Sequence, residues 1–228
     1  QKDACYELSK PFDRSSLAIE DGQKRRLFYP LQVMTTTGRD TSERWIRLLD
    51  VIASAIAMVF ALPIMLIIAA VIKVSSPGPA LYRQERVGKN GKMFTLYKFR
   101  TMVNGAETHI GPVLAARDDA RVTRVGKLLR SSRLDELPQL FNILKGDMSL
   151  VGPRPERPYF VRCHKALQGK RLTVKPGLTG LAQVRSSYDL KPDRKIKYDY
   201  LYIQKRSLLL NLYILAKTFP VIIGKKGW

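Results

Sequence analysis

The sequence predicts an α+β fold that is mostly α-helical and is built around one long apolar helix. Three observations predict it. The 22 residues 51–72 carry no charged side chain, two β-prone runs flank the pair Asn90-Gly91, and apolar residues recur at helical spacing in 128–144 and 194–215. At 228 residues, the chain is long enough to enclose a hydrophobic core in one domain.

The composition narrows the classes of function. Lys and Arg total 40 against 19 Asp and Glu, so the net charge is +21. Such a charge suits nucleic acid, an anionic membrane face or phosphorylated substrates. Two cysteines and two histidines argue against a disulfide scaffold, a Cys/His zinc site and a histidine-based triad. Chemistry would therefore come from carboxylates, Lys, Arg, Ser or Tyr.

Residues 1–42 are polar, with charges scattered among them. We interpret them as an N-terminal segment or linker of unknown role. The chain starts with Gln1 instead of Met. This start is expected of a chain with a cleaved tag, of a processed chain or of a fragment of a longer protein.

Residues 43–73 are predicted to form a membrane helix. Its charge-free part is about 33 Å long, enough to cross a hydrocarbon core of about 30 Å. Pro63 lies near its middle and is predicted to be a hinge. Basic residues flank both ends, which favours placing both on the cytoplasmic side. A re-entrant helix-break-helix satisfies both features, and a kinked spanning helix remains the alternative.

The remaining elements follow from local patterns. Residues 80–87 and 92–99 are predicted to pair as a β-hairpin around Asn90-Gly91. A polar helix is expected over 103–117, and a second helix over 128–144 with Gly146 as its C-cap. Residues 147–185 are predicted to be loop-rich. An amphipathic helix over 194–215 fits either a membrane surface or a protein core.

The adjacent carboxylates Asp135 and Glu136 are the strongest candidates for catalysis. On a helix, neighbouring side chains point about 100° apart, so one can act as a nucleophile and the other as a metal ligand or base. Pro138 suggests that the pair lies in the first turn of a helix. Most such pairs are solvated surface charges, but cations precede this one: Arg121, Arg124, Lys127, Arg130 and Arg133.

Two loops rich in proline and glycine carry further candidates. Arg154 lies in 152–155 and Lys175 in 175–180. Rigid loops that present cations and backbone N–H groups can bind phosphate, although ordinary turn chemistry explains them as well. Asp118 and Asp119 are a weaker candidate for binding a divalent cation.

Three long motifs resemble the bacterial sugar transferase family, the monotopic polyprenyl-phosphate phosphoglycosyl transferases. The motifs are SSPGPALYRQERVGKNGKMFTLYKFRTM, DDARVTRVGKLLRSSRLDELPQLFNILKGDMSLVGPRP and VKPGLTGLAQV. The resemblance runs from about Arg44 to the C-terminus. One departure is Arg133, where the family commonly has Ser.

The resemblance implies a reaction and roles for individual residues. The family transfers sugar-1-phosphate from a nucleotide diphosphate sugar, usually a UDP-sugar, to polyprenyl phosphate, which initiates lipid-linked glycan synthesis. Asp135 would be the nucleophile, forming a phosphosugar-aspartyl intermediate with release of UMP, and Glu136 would be associated with Mg²⁺. The family's re-entrant helix with a central proline maps onto Pro63. The expected substrate-binding residues are Lys98, Arg100, Arg124, Arg130, Arg154, Lys175 and Gln183.

The resemblance also implies where the protein works. Residues 74–228 would form a phosphoglycosyl transferase domain, ending in an amphipathic helix, on the cytoplasmic face of the bacterial inner membrane. The expected partners are a UDP-sugar, polyprenyl phosphate and membrane lipids, with a homodimer left open and no nucleic acid. The alternative is a membrane-anchored polyanion-binding or scaffold protein without catalysis. Its binding would weaken with salt and would not require Asp135.

Overall fold

The computed structural model describes residues 39–108, 119–185 and 192–224. The predicted N-terminal segment lies outside these residues up to position 38, and so does most of the predicted polar helix 103–117 beyond a turn at 104–108. The helices and strands are α1 (Arg39–Ser75), β1 (Leu81–Val87), β2 (Met93–Phe99), α2 (Arg124–Ser131), α3 (Gln139–Lys145), β3 (Ser149–Val151), α4 (Pro158–Cys163), β4 (Gly177–Thr179), α5 (Leu181–Arg185), α6 (Pro192–Lys205) and α7 (Leu208–Ile223).

Helix α1 has 37 residues, is about 55 Å long and continues through Pro63. The structure does not confirm the predicted break at Pro63, which stays a prediction. Within the described residues, α1 is the one helix long and apolar enough to cross a membrane, and only 17% of its most apolar window is buried. Its outer face exposes large apolar side chains, among them Val59, Phe60, Leu66 and Ile67.

Both ends of α1 are tied to the rest of the molecule. Near its start, Arg47 donates to the carbonyl oxygens of Ile143 and Leu144 at 2.6 and 2.8 Å. Just past its end, the carbonyl oxygens of Ser76 and Pro77 accept hydrogen bonds from Arg100 at 2.8 and 2.7 Å. Between these ends, buried side chains follow one face of the helix at Ile46, Asp50, Ser54, Ala61, Ile68 and Ile72.

The predicted β-hairpin is confirmed almost to the residue. Strands β1 and β2 pair antiparallel from Leu81 opposite Phe99 to Val87 opposite Met93. Asn90 adopts the left-handed conformation (φ 57°, ψ 28°) in the connecting turn, which Asn tolerates better than most residues. Phe94 and Leu96 are buried on one face of β2, and Phe99 is buried at its end; all three join the hydrophobic clusters to which α1 contributes.

The predicted single helix over 128–144 is wrong, because the chain changes direction inside it. Arg133 takes a left-handed conformation (φ 59°, ψ 12°), and a 3₁₀ turn, Leu134–Glu136, separates α2 from α3. Asp135 and Glu136 thus precede α3 instead of lying in its first turn. Gly146 is the C-cap of α3 with φ 96°, as predicted.

A buried asparagine connects α3 to the hairpin. Asn142 is fully buried; its Oδ1 accepts a hydrogen bond from Tyr97 N at 3.1 Å and its Nδ2 donates to Thr95 O at 2.7 Å. Removing one partner of such a buried pair leaves a polar group unsatisfied, which costs about 1–3 kcal/mol. This connection fixes the turn that precedes α3 relative to strand β2.

The region 147–185, predicted to be loop-rich, contains a parallel strand pair. Strand β3 pairs with β4, with Ser149 opposite Gly177 and Val151 opposite Thr179. A Cβ on Gly177 would lie 2.0 Å from Gly152 N, so only glycine permits this approach. The pairing places the two predicted phosphate-binding loops side by side.

The predicted helix over 194–215 is divided into α6 and α7. The division falls at Ser207, whose side-chain oxygen caps α7 by accepting a hydrogen bond from Leu210 N at 3.2 Å. Helix α6 is anchored by buried Tyr202, and its hydroxyl lies 3.0 Å from the carbonyl oxygen of Val151. Helix α7 exposes apolar side chains that include Leu209 and Phe219.

Candidate active site

Asp135 and Glu136 lie on the 3₁₀ turn between α2 and α3, facing strand β2 and the loop that follows β3. Asp135 is only 6% exposed. The left-handed Arg133 ahead of the turn and Pro138 after it fix the direction of the chain on both sides. The two carboxyl groups are therefore held at a set position.

An arginine holds Glu136. Its Oε1 accepts a hydrogen bond from Arg154 Nη2 at 2.5 Å, and Arg133 Nη1 lies 3.7 Å from the same oxygen. Burial would raise the pKa of Glu136, but the charge and hydrogen bond of Arg154 outweigh it and hold that pKa below its usual range. In return, the charge of Glu136 raises the pKa of Arg154.

The pKa of Asp135 is shifted in the opposite direction to that of Glu136. Burial, followed by the neighbouring charge of Glu136, raises the pKa of Asp135, while Lys98, Arg154 and Arg130 act against this rise. Within the described residues, its buried Oδ1 has no hydrogen-bond partner. An unsatisfied buried carboxylate oxygen is unfavourable for folding, and such a group is characteristic of functional sites.

Lys98 is the cation that β2 contributes. Its Nζ lies 5.3 Å from the centre of the Tyr82 ring. Burial lowers the pKa of Lys98 to about 8; the charge of Asp135 opposes this effect, and the cations Arg86, Arg130 and Arg154 add to it. Lys98 is thus sensitive to pH in a range where most lysines stay charged.

Arg130 reaches the site from the last turn of α2. Its Nε donates to Thr101 Oγ1 at 2.8 Å. Helix α2 can approach Thr101 closely because Gly126 faces it: a Cβ on Gly126 would lie 1.9 Å from the Thr101 carbonyl oxygen. Arg130 is therefore held near Lys98 and Asp135 by a contact between backbones.

Other predicted substrate-binding residues lie elsewhere. Arg100 is buried and donates to the main chain where α1 ends. Arg124 is exposed at the start of α2. Lys175 lines a cavity of about 590 Å³ beside Arg47 and Asp50, at the start of α1. Gln183 lies on α5, and its side-chain amide forms no hydrogen bond within the described residues.

Two further arginines belong to the architecture of the site and were missed from the sequence. Arg86 Nη1 donates to the Pro155 carbonyl oxygen at 2.8 Å, and Arg171 Nη2 donates to the Arg154 carbonyl oxygen at 2.7 Å. Both fix the loop that carries Arg154. Arg86 is 69 positions from its partner, and no local pattern in the sequence indicates such a contact.

Carboxylates suitable for a metal are few. In ranges 39–108, 119–185 and 192–224, no group of three or more His, Cys, Asp and Glu side chains is arranged to hold a metal ion. Of the weaker candidate pair, Asp118 lies outside these ranges, and Asp119 is bound by Arg121 Nε at 2.8 Å. Oxygen donors at the site itself come from Asp135 and Glu136.

The arrangement is suited to nucleophilic attack on a phosphorus atom. A buried carboxylate with an unpaired oxygen lies among Lys98, Arg130 and Arg154. Cations can neutralise an anionic phosphoryl group, which would otherwise repel a carboxylate. Phosphate oxygens can accept the hydrogen bonds that such side chains donate.

Comparison with known proteins finds relatives that are named as sugar-phosphate transferases. The family model described as bacterial sugar transferase matches residues 41–225. Similar proteins include the UDP-N-acetylgalactosamine-undecaprenyl-phosphate N-acetylgalactosaminephosphotransferase of Aeromonas hydrophila, 45% identical over 185 residues that cover 78% of this chain and 44% of the relative. A UDP-glucose:undecaprenyl-phosphate glucose-1-phosphate transferase of Klebsiella pneumoniae is 44% identical over 80% of this chain and 41% of its own length.

A relative of more similar length is the UDP-glucose:undecaprenyl-phosphate glucose-1-phosphate transferase of Caulobacter vibrioides. It is 44% identical over 78% of this chain and 69% of its own length. The chain spans about two fifths of the length of the Aeromonas and Klebsiella relatives. Because the family model matches most of the chain, this protein belongs to the bacterial sugar transferase family.

Proposed function

We propose that this chain transfers sugar-1-phosphate from a UDP-sugar to polyprenyl phosphate and so initiates the synthesis of a lipid-linked glycan or polysaccharide. The observation that carries the proposal is the buried Asp135, whose Oδ1 has no partner in the described part of the chain and which lies among three cations. Relatives named as transferases of sugar phosphates to undecaprenyl phosphate support the same substrates.

The reaction has two displacements at one phosphorus atom. A carboxylate oxygen of Asp135 attacks the sugar-bearing phosphorus of the UDP-sugar, and the bond to the bridging oxygen breaks, so UMP leaves. A phosphate oxygen of polyprenyl phosphate then attacks the same phosphorus and displaces Asp135. The product is a polyprenyl diphosphate sugar, and the carboxylate is regenerated. One phosphate site therefore serves both substrates in turn.

The three cations near Asp135 would have different roles. Lys98 and Arg130 lie near Asp135 and would bind the phosphoryl oxygens, while Arg154 fixes Glu136. A buried carboxylate with a raised pKa is a better nucleophile than a solvated one, because less water must be removed before it attacks. Lys98 and Arg130 lower the barrier by compensating for the charge of the diphosphate.

Mg²⁺ fits the donors at this site. It is commonly bound by one or two carboxylates together with substrate phosphates, so a cage of three protein carboxylates is not required. Glu136 would hold the ion, and the unpaired oxygen of Asp135 lies on the neighbouring residue. When bound, the ion would supply positive charge to the diphosphate.

We further propose that α1 is a re-entrant helix in the cytoplasmic leaflet of the inner membrane, with its hinge at Pro63. Two features support this topology. Both ends of α1 form polar contacts with the same domain, through Arg47 and through Arg100. The face of α1 that turns away from the domain is apolar and exposed. A spanning helix would place its two ends, and therefore the contacts of Arg47 and Arg100, on opposite sides of the bilayer.

Helix α7 extends the same apolar surface. It packs against α1 while exposing Leu209, Leu212, Phe219 and Ile222. We propose that these side chains lie at the membrane interface, where a net charge of +21 would favour anionic lipids. The phosphate of the lipid substrate would then lie at the level of the active site.

Release of UMP from a panel of UDP-sugars tests the proposed function. The protein, reconstituted with polyprenyl phosphate and Mg²⁺, should release UMP with at least one sugar and form the polyprenyl diphosphate product in equal amount. A panel is needed because the relatives differ in the sugar of their names, N-acetylgalactosamine in one and glucose in two. UMP release that did not require polyprenyl phosphate for turnover would contradict the transferase proposal.

A further inference from the structure

The main chain of the loop that carries Arg154 is held through its carbonyl groups, and one of its anchors is a buried ion pair outside the active site. The loop follows β3 and contains Pro153 and Pro155, neither of which has a backbone N–H. Its conformation therefore depends on what its carbonyl oxygens accept. All four carbonyl groups from Pro153 to Glu156 have a donor.

The four donors come from separate parts of the chain. Gly177 N donates to Pro153 O at 2.9 Å, and Val87 N donates to Glu156 O at 3.0 Å. Side chains supply the other two: Arg171 binds Arg154 O at 2.7 Å, and Arg86 binds Pro155 O at 2.8 Å. Of these four donors, only Arg171 binds the main chain of Arg154, the residue whose side chain holds Glu136.

Arg171 is itself fixed by Asp199. Arg171 Nε donates to Asp199 Oδ2 at 2.8 Å, and both side chains are 5% exposed. Arg171 lies on the 3₁₀ turn Gly169–Thr173 and Asp199 on α6, so the pair connects two elements that carry none of the catalytic groups. The planar guanidinium uses Nε for Asp199 and Nη2 for Arg154, two directions that one ammonium group cannot supply together.

We propose that Arg171, oriented by Asp199, is a positioning residue for the transfer reaction. It sets the position of the Arg154 main chain, and the side chain of Arg154 in turn binds the Glu136 carboxylate at 2.5 Å, next to Asp135. This inference rests on the proposed function. A displacement of about 1 Å far from the reacting atoms can lower a rate on the order of 100-fold, so a remote anchor of this kind can control catalysis.

Arg171→Lys is the primary test. The substitution keeps the positive charge opposite Asp199 but removes the second N–H group, which binds the Arg154 carbonyl oxygen. Arg154 should therefore shift away from Glu136. We expect kcat to fall on the order of 10–100-fold, with little change in KM for the UDP-sugar. A purely structural role for Arg171 would instead lower the melting temperature and leave kcat unchanged, so both quantities are measured.

A double-mutant cycle with Arg154→Lys separates positioning from general stabilisation. If Arg171 acts through Arg154, then Arg171→Lys should cause almost no further loss of kcat in an Arg154→Lys background. Multiplicative losses, or an unchanged kcat in Arg171→Lys, would overturn the proposal. Should Arg171→Lys not fold, Asp199→Asn, which keeps an acceptor oxygen but removes its charge, is held to the same two criteria.

Arg47→Lys is the matched control. Arg47 also donates to two main-chain carbonyl groups, but these belong to Ile143 and Leu144, away from the Arg154 loop. It should lower the melting temperature and leave kcat in place; a fall in kcat equal to that of Arg171→Lys would overturn the proposal. Wild-type UMP release tests the proposed function separately, because its absence would contradict the transferase and leave the variants without a rate to compare.

Discussion

Asp135 and Glu136 are adjacent in the chain, yet their carboxyl groups are held in opposite electrostatic states. Burial raises the pKa of Asp135, whereas the pairing with Arg154 more than offsets burial and lowers the pKa of Glu136. Only Glu136 has an arginine at 2.5 Å. This asymmetry lets the two carboxylates take different tasks, one as the reacting group and the other as a fixed negative charge.

Asp135→Asn should abolish turnover while leaving the protein folded. An amide is a poor nucleophile toward phosphorus, so we expect kcat to fall by at least about 10³-fold. Wild-type protein incubated with UDP-sugar alone should gain the mass of one sugar phosphate, and the variant should not. Near-normal turnover by the variant would exclude the covalent mechanism.

The same variant should be at least as stable as the wild type at pH 7.5. The pKa of Asp135 lies above its ordinary value of 3.8, at about 6, so the folded state disfavours the charged form. This destabilisation develops as pH rises from about 4 through 6 and is complete above that. Asn removes it. Melting curves at pH 4 and 7.5 should show a gain at the higher pH only, and a loss at pH 7.5 would contradict this account.

The rate should have a bell-shaped dependence on pH. Activity should fall below about pH 6 as the Asp135–Glu136 pair takes up a proton, because the nucleophile must be ionised. It should fall again above about pH 8, where Lys98 loses its charge. Single-turnover rates of UMP release between pH 5 and 10 measure both limbs.

The Lys98→Arg variant tests whether deprotonation of Lys98 causes the fall in activity at high pH. Arginine remains charged throughout this range, so the variant should keep its remaining activity to about pH 10 even if its maximum is lower. Lys92→Arg, on the exposed side of the hairpin turn, is the control and should retain the alkaline limb. An alkaline limb that persists in Lys98→Arg would assign it to another group.

Arg130→Ala should weaken phosphate binding more than Arg130→Lys. Lysine keeps the charge but loses the planar group that donates to Thr101 and that, in the proposed function, would bind a phosphoryl oxygen at the same time. We expect a rise in KM for the UDP-sugar on the order of tenfold for Ala and less for Lys. Thr101→Val, which removes only the acceptor for Arg130, should resemble Arg130→Lys. Wild-type kinetics in all three variants would place Arg130 outside the site.

The two ends of α1 should lie on the same side of the membrane. Single cysteines at Ser42 and Ser75, in a chain with Cys5 and Cys163 replaced by Ser, can be probed with an impermeant maleimide. Neither should react in intact spheroplasts, and both should react after permeabilisation. Reaction of only one site in intact spheroplasts would contradict the re-entrant topology without affecting the chemistry at Asp135.

The sequence predicts those parts of the structure that depend on local signals. Asn90-Gly91 and the β-prone runs beside it predict both strands of the hairpin nearly to the residue, and Gly146 predicts the end of α3. The prediction of one helix over residues 128–144 fails because the spacing of apolar residues does not reveal a single residue in the left-handed conformation. Arg133 interrupts the helix while the periodicity continues on both sides of it.

Long-range partners explain the remaining differences. The sequence groups Lys98, Arg100 and Lys175 as cations, but only Lys98 lies beside Asp135. Arg100 is bound to carbonyl groups at the end of α1, and Lys175 borders a cavity at its start. Which polar group a cation meets depends on tertiary packing across tens of residues. No composition or spacing argument supplies that information.

The burial of α1 along one face means that this segment is not a detachable anchor. Ala61 belongs to the same cluster as Leu140 and Ile143, and Ile72 packs with Phe99 and Leu129. Cutting the chain after Ser75 to obtain a water-soluble enzyme would uncover the interior of the remainder and promote aggregation. Purification should therefore retain the segment and use detergent or nanodiscs. Fusion proteins should keep residues 39–224 together.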